Sequence, residues 1–116
     1  MPKDIMQAEL LGTLDTSTLV AGVPQTINVA QSGPALIVRI VNRSNIDVKI
    51  SYGLDLSQAL LAQDIVPPLG ELLLPFGANN QANNEVAVLP KNWAVWGQAA
   101  GAGVGNVYCA LYFEAN

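Results

Sequence analysis

Along most of this chain apolar side chains recur at every second position, in short runs broken by Gly, Pro, Asn and Ser about every 8–12 residues. A spacing of two puts alternate side chains on opposite faces of an extended strand, whereas a helix needs a spacing near 3.6. Residues 26–30 place Ile27 and Val29 on one face. Residues 35–42 place Leu36, Val38 and Ile40 on one face, with Ile37, Arg39 and Val41 on the other. A run apolar on both sides predicts a central strand. Asn42, Arg43, Ser44 and Asn45 are turn residues, after which Ile46, Val48, Ile50 and Tyr52 point one way and Asp47, Lys49 and Ser51 toward solvent. The two runs together predict a hairpin.

Between 54 and 64, Leu56, Leu60 and Leu61 have helical spacing, but the run is short and Pro67-Pro68 follows. An extended loop plus a strand is expected there in preference to a short helical turn. Pro67 to Gly70 predicts a tight turn, with Gly70 free to take positive φ, leading into a strand at 71–75. An uncharged amide-rich loop, 77–84, precedes strands at 85–89, 92–99 and 105–114, with residues 101–105 as the flexible turn between the last two. In the final strand Val107, Cys109, Leu111 and Phe113 share a face opposite Tyr108, Ala110 and Tyr112. Upstream, 8–14 and 18–21 are further strands, and 1–7 is a candidate N-terminal arm. The expectation is all-β: one domain over 1–116, a single antiparallel β-sandwich of about eight strands, jelly-roll-like or immunoglobulin-like in connectivity.

Composition narrows the chemistry. Of the 116 residues 51% are hydrophobic, 12% are charged and none is histidine; an ordinary domain carries about 25% charged residues. So few ionic side chains leave a surface suited to being covered by another protein. A net charge of −4 argues against nucleic acid and against an anionic membrane surface. No apolar stretch approaches the roughly 20 residues of a membrane-spanning helix. Residues 1–5 lack the pattern of a secretory signal, and the lone Cys109 reads as a small buried apolar residue, both consistent with synthesis in a reducing cytoplasm.

Without histidine the commonest general base and metal ligand are missing, and neither a Ser-His-Asp nor a Cys-His arrangement is possible within one chain. Residues 101–105 lack the Lys and helix of a phosphate loop, and no calcium-loop pattern occurs. Asp55, Asp64 and Glu71 are the one carboxylate set that a fold might bring together, against a plainer reading as turn caps and solvated side chains. No catalytic residue, metal or cofactor is expected, and the chain is read as a non-enzyme.

The aromatic residues say more. Trp93 and Trp96 are three apart on one strand and so face opposite ways, Trp93 inward with Val95 and Trp96 outward with Ala94 and Gln98. Tyr108 and Tyr112 would stand beside Trp96 if the last two strands paired. Such a cluster is an interface anchor, a sugar-stacking platform, or packing within the domain. The amides Asn79, Asn80 and Asn83 admit a neighbouring subunit, a sugar or plain solvation. Ile5 and Met6 belong either to a first strand or to an arm docking on another subunit.

Three segments carry a family resemblance: residues 41–53 from Val41-Asn42 through Asp47-Val48 and Ile50-Ser51-Tyr52-Gly53; the turn Ile65-Val66-Pro67-Pro68-Leu69-Gly70 with Glu71-Leu72; and the ending from Val104-Gly105 through Val107-Tyr108 to Phe113. Their order over residues 35–114 resembles small β-sandwich structural proteins of tailed-phage virions. Leu54 and the apolar 56–61 depart from that pattern. The resemblance implies a virion component made in the host cytoplasm and without catalytic residues. Its expected role is a capsid decoration or cement protein that binds the outside of the major capsid protein lattice and stabilises it. Self-association as a trimer or dimer goes with that expectation. A tail, collar or fibre-adaptor component is the alternative within the same kind of particle, and a carbohydrate- or receptor-binding module the alternative outside it.

Overall fold

Eight strands form two four-stranded sheets in a computed structural model that describes residues 6–30, 33–59, 64–74 and 89–114. The strands are β1 (Met6–Asp15), β2 (Gln25–Val29), β3 (Ile37–Asn42), β4 (Val48–Gly53), β5 (Asp64–Val66), β6 (Glu71–Leu74), β7 (Ala94–Gln98) and β8 (Asn106–Glu114). One sheet runs β1-β8-β3-β6 and the other β2-β7-β4-β5, with every pairing antiparallel. Strands pair first with last: β1 with β8, β2 with β7, β3 with β6 and β4 with β5. A long antiparallel ribbon folded over on itself has this pattern, and the contacts of β3 with β8 and β4 with β7 complete the two sheets. The connectivity is that of a jelly roll and not of an immunoglobulin sandwich.

The sandwich closes because each strand turns one apolar row inward. Val38 and Ile40 from β3, Val48 and Ile50 from β4, Val95 from β7, and Val107, Cys109 and Leu111 from β8 are fully buried. The alternation expected for the last strand holds, with Phe113 also buried and Tyr108 exposed. The central position expected for 35–42 holds as well, since β3 lies between β8 and β6. Asn28 extends from β2 across the sandwich, and its Nδ2 donates to the Cys109 carbonyl at 2.9 Å.

The expected hairpin of 35–42 with 46–52 does not form: β3 and β4 lie in different sheets and face one another across the core. The same turn residues serve a sandwich corner. Asn42 is fully buried; its Nδ2 donates to the Ile46 and Val66 carbonyls at 2.9 and 2.8 Å, while its Oδ1 accepts from the Ser44 N–H and hydroxyl. A buried amide with its bonds satisfied locks the chain as it passes from one sheet to the other. Residues 101–105 likewise cross between sheets. The Thr16 hydroxyl and N–H both donate to the Gly105 carbonyl, and the Gly103 N–H donates to the Thr16 carbonyl, so this connection is pinned and not a flexible hairpin turn.

Other expectations change locally. Residues 18–21 form no strand; a 3-10 turn, Thr16–Thr18, capped by Asp15, leads instead into a tight turn closed by an isolated bridge between Val20 and Val23. A bulge between Thr26 and Asn28 breaks the alternation of β2, so Ile27 and Asn28 are both buried and Val29 only half so. One turn of helix, α1 (Leu56–Ala59), stands where an extended loop was expected, because Asp55 accepts from the Gln58 N–H and the Ser57 hydroxyl as a cap. Ser51, expected in solvent, is fully buried. In the turn after β5 it is Leu69 that takes φ +62°, with Gly70 N–H bonded to the Pro67 carbonyl. A side chain on Gly70 would strike Pro67.

Candidate interaction surfaces

Alternation along β8 places Tyr108, Ala110 and Tyr112 on the outer face of the first sheet, opposite the buried row. Register then lines up Leu11, Ala110, Arg39 and Leu73 across four strands, and Thr13, Tyr108, Val41 and Glu71 in the next row. Ile37 pairs beside Tyr112. Leu11 is 72% exposed, and Leu73 and Tyr108 are exposed too. The two charges on these rows neutralise each other: Arg39 Nε donates to Glu71 Oε2 at 2.6 Å. The Glu71 carboxylate, and after it the Tyr112 hydroxyl, holds Arg39 in its charged form, while Arg39 lowers the Glu71 carboxyl below its ordinary range. The result is a mixed apolar and polar face whose two opposite charges on these rows are paired.

The outer face of the second sheet is different. Trp96 does point outward with Ala94 and Gln98, and Trp93 packs against the core, as expected. The face is covered only in part: Ala94, Gln98, Ser51 and Gly53 are buried, and α1 packs on β4 with Gln58 over Gly53, while Lys49 and Ile65, paired on the same face, are exposed. The Trp96 indole N–H donates to the Gly53 carbonyl at 3.1 Å, so the ring lies along the sheet, half-buried. Because β7 and β8 belong to different sheets, Trp96 stands on the opposite side of the molecule from Tyr108 and Tyr112. The single aromatic platform expected from pairing of the last two strands is not assembled.

A third surface was not anticipated. The β1–β2, β3–β4, β5–β6 and β7–β8 connections all emerge at one end of the sandwich and are stitched to one another. Besides the Thr16 and Asn42 bonds, the Asn45 side chain accepts from the Val104 N–H at 2.8 Å, Arg43 N–H donates to the Asn106 carbonyl, and Gly22 N–H donates to the Ala99 carbonyl. On this braced end the tips are aliphatic: Leu69 is 81% exposed and Val104 74%, with Val20 and Val23 exposed beside them. A groove adjoins it, lined by Ile46, Asp47, Lys49, Ile65 and residues 99–102. Each tip looks like an ordinary loop residue in sequence; only the fold gathers them.

Of the residues singled out for contact, Tyr108 and Tyr112 share the outer face of the first sheet, Trp96 lies on the outer face of the second, and Met6 opens β1, paired with Glu114 of β8. Of the arm expected over residues 1–7, residues 6 and 7 are strand instead, and residues 1–5 lie outside the described residues. Ile5, Asn79, Asn80 and Asn83 lie outside the described residues, as do residues 85–88 of the strand expected at 85–89; Leu89 forms an isolated bridge with Ala35.

The carboxylates do not converge. Asp55 caps α1, Asp64 accepts from the Tyr52 hydroxyl at 3.0 Å, and Glu71 is bound to Arg39 on the other sheet. Among the described residues no three His, Cys, Asp or Glu side chains are grouped to hold a metal, and no helix is long and apolar enough to cross a membrane. Burial pushes the Cys109 thiol up to about 12, so at neutral pH it is protonated and unreactive. Burial, and then the Asp64 charge, raises the Tyr52 hydroxyl as well. No family model, curated protein or solved structure matches this chain.

Proposed function

We propose that this protein is a virion structural component, of the decoration or cement type, that docks on an assembled capsid lattice and reinforces it. The observation that carries this reading is the braced end of the sandwich, where exposed Val20, Leu69 and Val104 are presented on loops held by backbone and side-chain hydrogen bonds. Surface leucines and valines gain nothing in isolation, but on a preorganised platform they bury apolar area with little ordering cost. Bound copies would stabilise the shell by mass action, to the extent that they bind the lattice better than free subunits. Jelly rolls serve as capsid domains and also as lectins, so the fold permits the role without choosing it. The motif resemblance and the low charge favour the virion.

Cosedimentation of the purified protein with shells that lack it tests the reading. Saturation at on the order of hundreds of copies per particle is expected, as a repeating lattice site requires, and Val104→Lys should weaken binding about tenfold or more. A stoichiometry of about six or twelve would instead assign the protein to a tail, collar or fibre junction of rotational symmetry. Absence of any particle binding by the unmodified protein would remove the proposal.

A further inference from the structure

We infer that Asn45 is a positioning residue of the docking end: it serves shell binding by holding the Val104 tip in place, without contacting the partner itself. The inference rests on the docking role of the loop end. Residues 101–105 hold three glycines, a composition that gives a surface loop wide conformational freedom. Here the backbone on both sides of the tip is tied down instead. The Val104 N–H donates to Asn45 Oδ1 at 2.8 Å, and the Val104 carbonyl accepts from the Asn45 N–H at 3.1 Å. One residue, 59 positions away, thus takes both backbone polar groups of the tip. Thr16 holds the flanks: its carbonyl accepts from the Gly103 N–H at 3.1 Å, and its N–H and hydroxyl donate to the Gly105 carbonyl at 3.0 and 2.7 Å. Gly103 permits the close approach, since a Cβ there would stand 2.7 Å from Ile46 Cγ1 and 3.0 Å from Asn45 Oδ1.

What this clamp supports is an apolar side chain in water. Val104 is 74% exposed, so the fold gains little burial from it. Asn45 is itself exposed, and water can replace its side-chain bond to an exposed amide, so that bond adds little to folding. Binding weighs it differently. A tip that its partner must order loses backbone freedom at that moment, whereas a tip already fixed does not. Ordering the backbone of one residue corresponds to about fivefold to thirtyfold in affinity. The Val20 and Leu69 tips stand on turns closed by backbone bonds, Val23 N–H to the Val20 carbonyl and Gly70 N–H to the Pro67 carbonyl. At Val104 a side chain closes the bond, so here the position of the tip can be altered by substitution without touching the tip.

Cosedimentation with shells, run as a double-mutant cycle on the full-length protein, tests the inference. Asn45→Ala keeps the main-chain bond and loses the side-chain one, so it should weaken shell binding about fivefold, the lower end of that range. Its urea midpoint should stay within about 0.3 M of the parent. The Val104 amide should exchange with deuterium at least about tenfold faster in the variant. Val104→Ala, which removes the tip, should weaken binding by a similar factor. Adding Asn45→Ala to it should then cost less than about twofold more, because no tip is left to position. Losses that multiply instead would mean that Asn45 touches the shell, and would overturn the inference. A urea midpoint that falls together with affinity would make Asn45 a structural residue and overturn it too, as would an unchanged rate of Val104 exchange. A parent protein that binds shells no better than Asn45→Ala strikes this inference alone. A parent that binds no shell strikes the docking role, and this inference with it.

Discussion

Leu69 combines two costs at one position. Its φ of +62° puts an L side chain in the left-handed region, worth about 1–2 kcal/mol against it, and the side chain projects into water. Glycine is the natural occupant of that place in a turn closed by the Gly70 N–H and Pro67 carbonyl, although it loses about 0.5–1 kcal/mol through its freer unfolded chain. Leu69→Gly should therefore raise the unfolding free energy in urea by about 0.5–1 kcal/mol. The same variant should bind shells more weakly, because the tip it removes belongs to the docking end. A loss of stability instead would make the side chain structural and strike it from the platform. Asn42 shows the opposite balance: a polar residue that looks like turn punctuation is fully buried, and its bond to the Val66 carbonyl spans 24 positions. No local pattern could announce that partner.

Among the elements, β1 and β2 illustrate how closely the sheets approach along one side. A Cβ on Gly12 would lie 2.0 Å from the Ile27 carbonyl oxygen, a backbone atom that cannot rotate away. The bulge in β2 and the reach of Asn28 to β8 belong to the same closure. Gly12→Ala should cost about 3 kcal/mol or more, with Thr13→Ala on the exposed row within about 0.5 kcal/mol of the parent, both read from urea unfolding. Strand positions were legible here from spacing alone, because alternation reports a pleated backbone with one wet and one dry side. Strand partners were not. Among the described strands only β4 and β5 pair with a sequence neighbour, so turn residues that announce hairpins mark crossings between sheets instead. The helix turn α1 ranked behind an extended loop because its cap comes from Asp55, which accepts from the Gln58 N–H and the Ser57 hydroxyl, while the weighing rested on the leucine spacing and the prolines that follow.

For the molecule as a whole, the titration of its groups sets a pH profile. With no histidine, no side chain of ordinary pKa changes charge between about pH 5 and 8, so stability there should be flat. Asp15, Asp55 and Glu71 are held below their ordinary values of 3.8, 3.8 and 4.5, the first by the Ser17 N–H, the second by the Ser57 hydroxyl and the third by Arg39. Their folded forms bind protons less readily than the unfolded chain, so their contribution is present above those values and disappears as pH falls through the folded ones. At the other end Cys109 stays protonated to about 12 when folded, against 9.0 when free. The native state then holds a proton that the unfolded state releases, and stability falls as pH rises from about 9 toward about 12. Urea midpoints measured from pH 7 to 11 should show this decline, and Cys109→Ala should remove the part of it that begins near pH 9.

The sandwich class, the inward rows of β3, β4 and β8, the burial of Cys109 and the opposed directions of Trp93 and Trp96 were all determined by residue order, since a period of two and the exclusion of water act within a few residues. Sheet membership was decided only by tertiary structure. The first-with-last pairing sends Trp96 and the two tyrosines to opposite sides, gathers Leu69, Val104 and Val20 at one braced end, and brings Arg39 beside Glu71 on the outer face of the first sheet. Those outcomes depend on which distant strands exchange backbone hydrogen bonds. Every strand offers the same donors and acceptors, so only the joint fit of all eight inward rows around one core selects the partners.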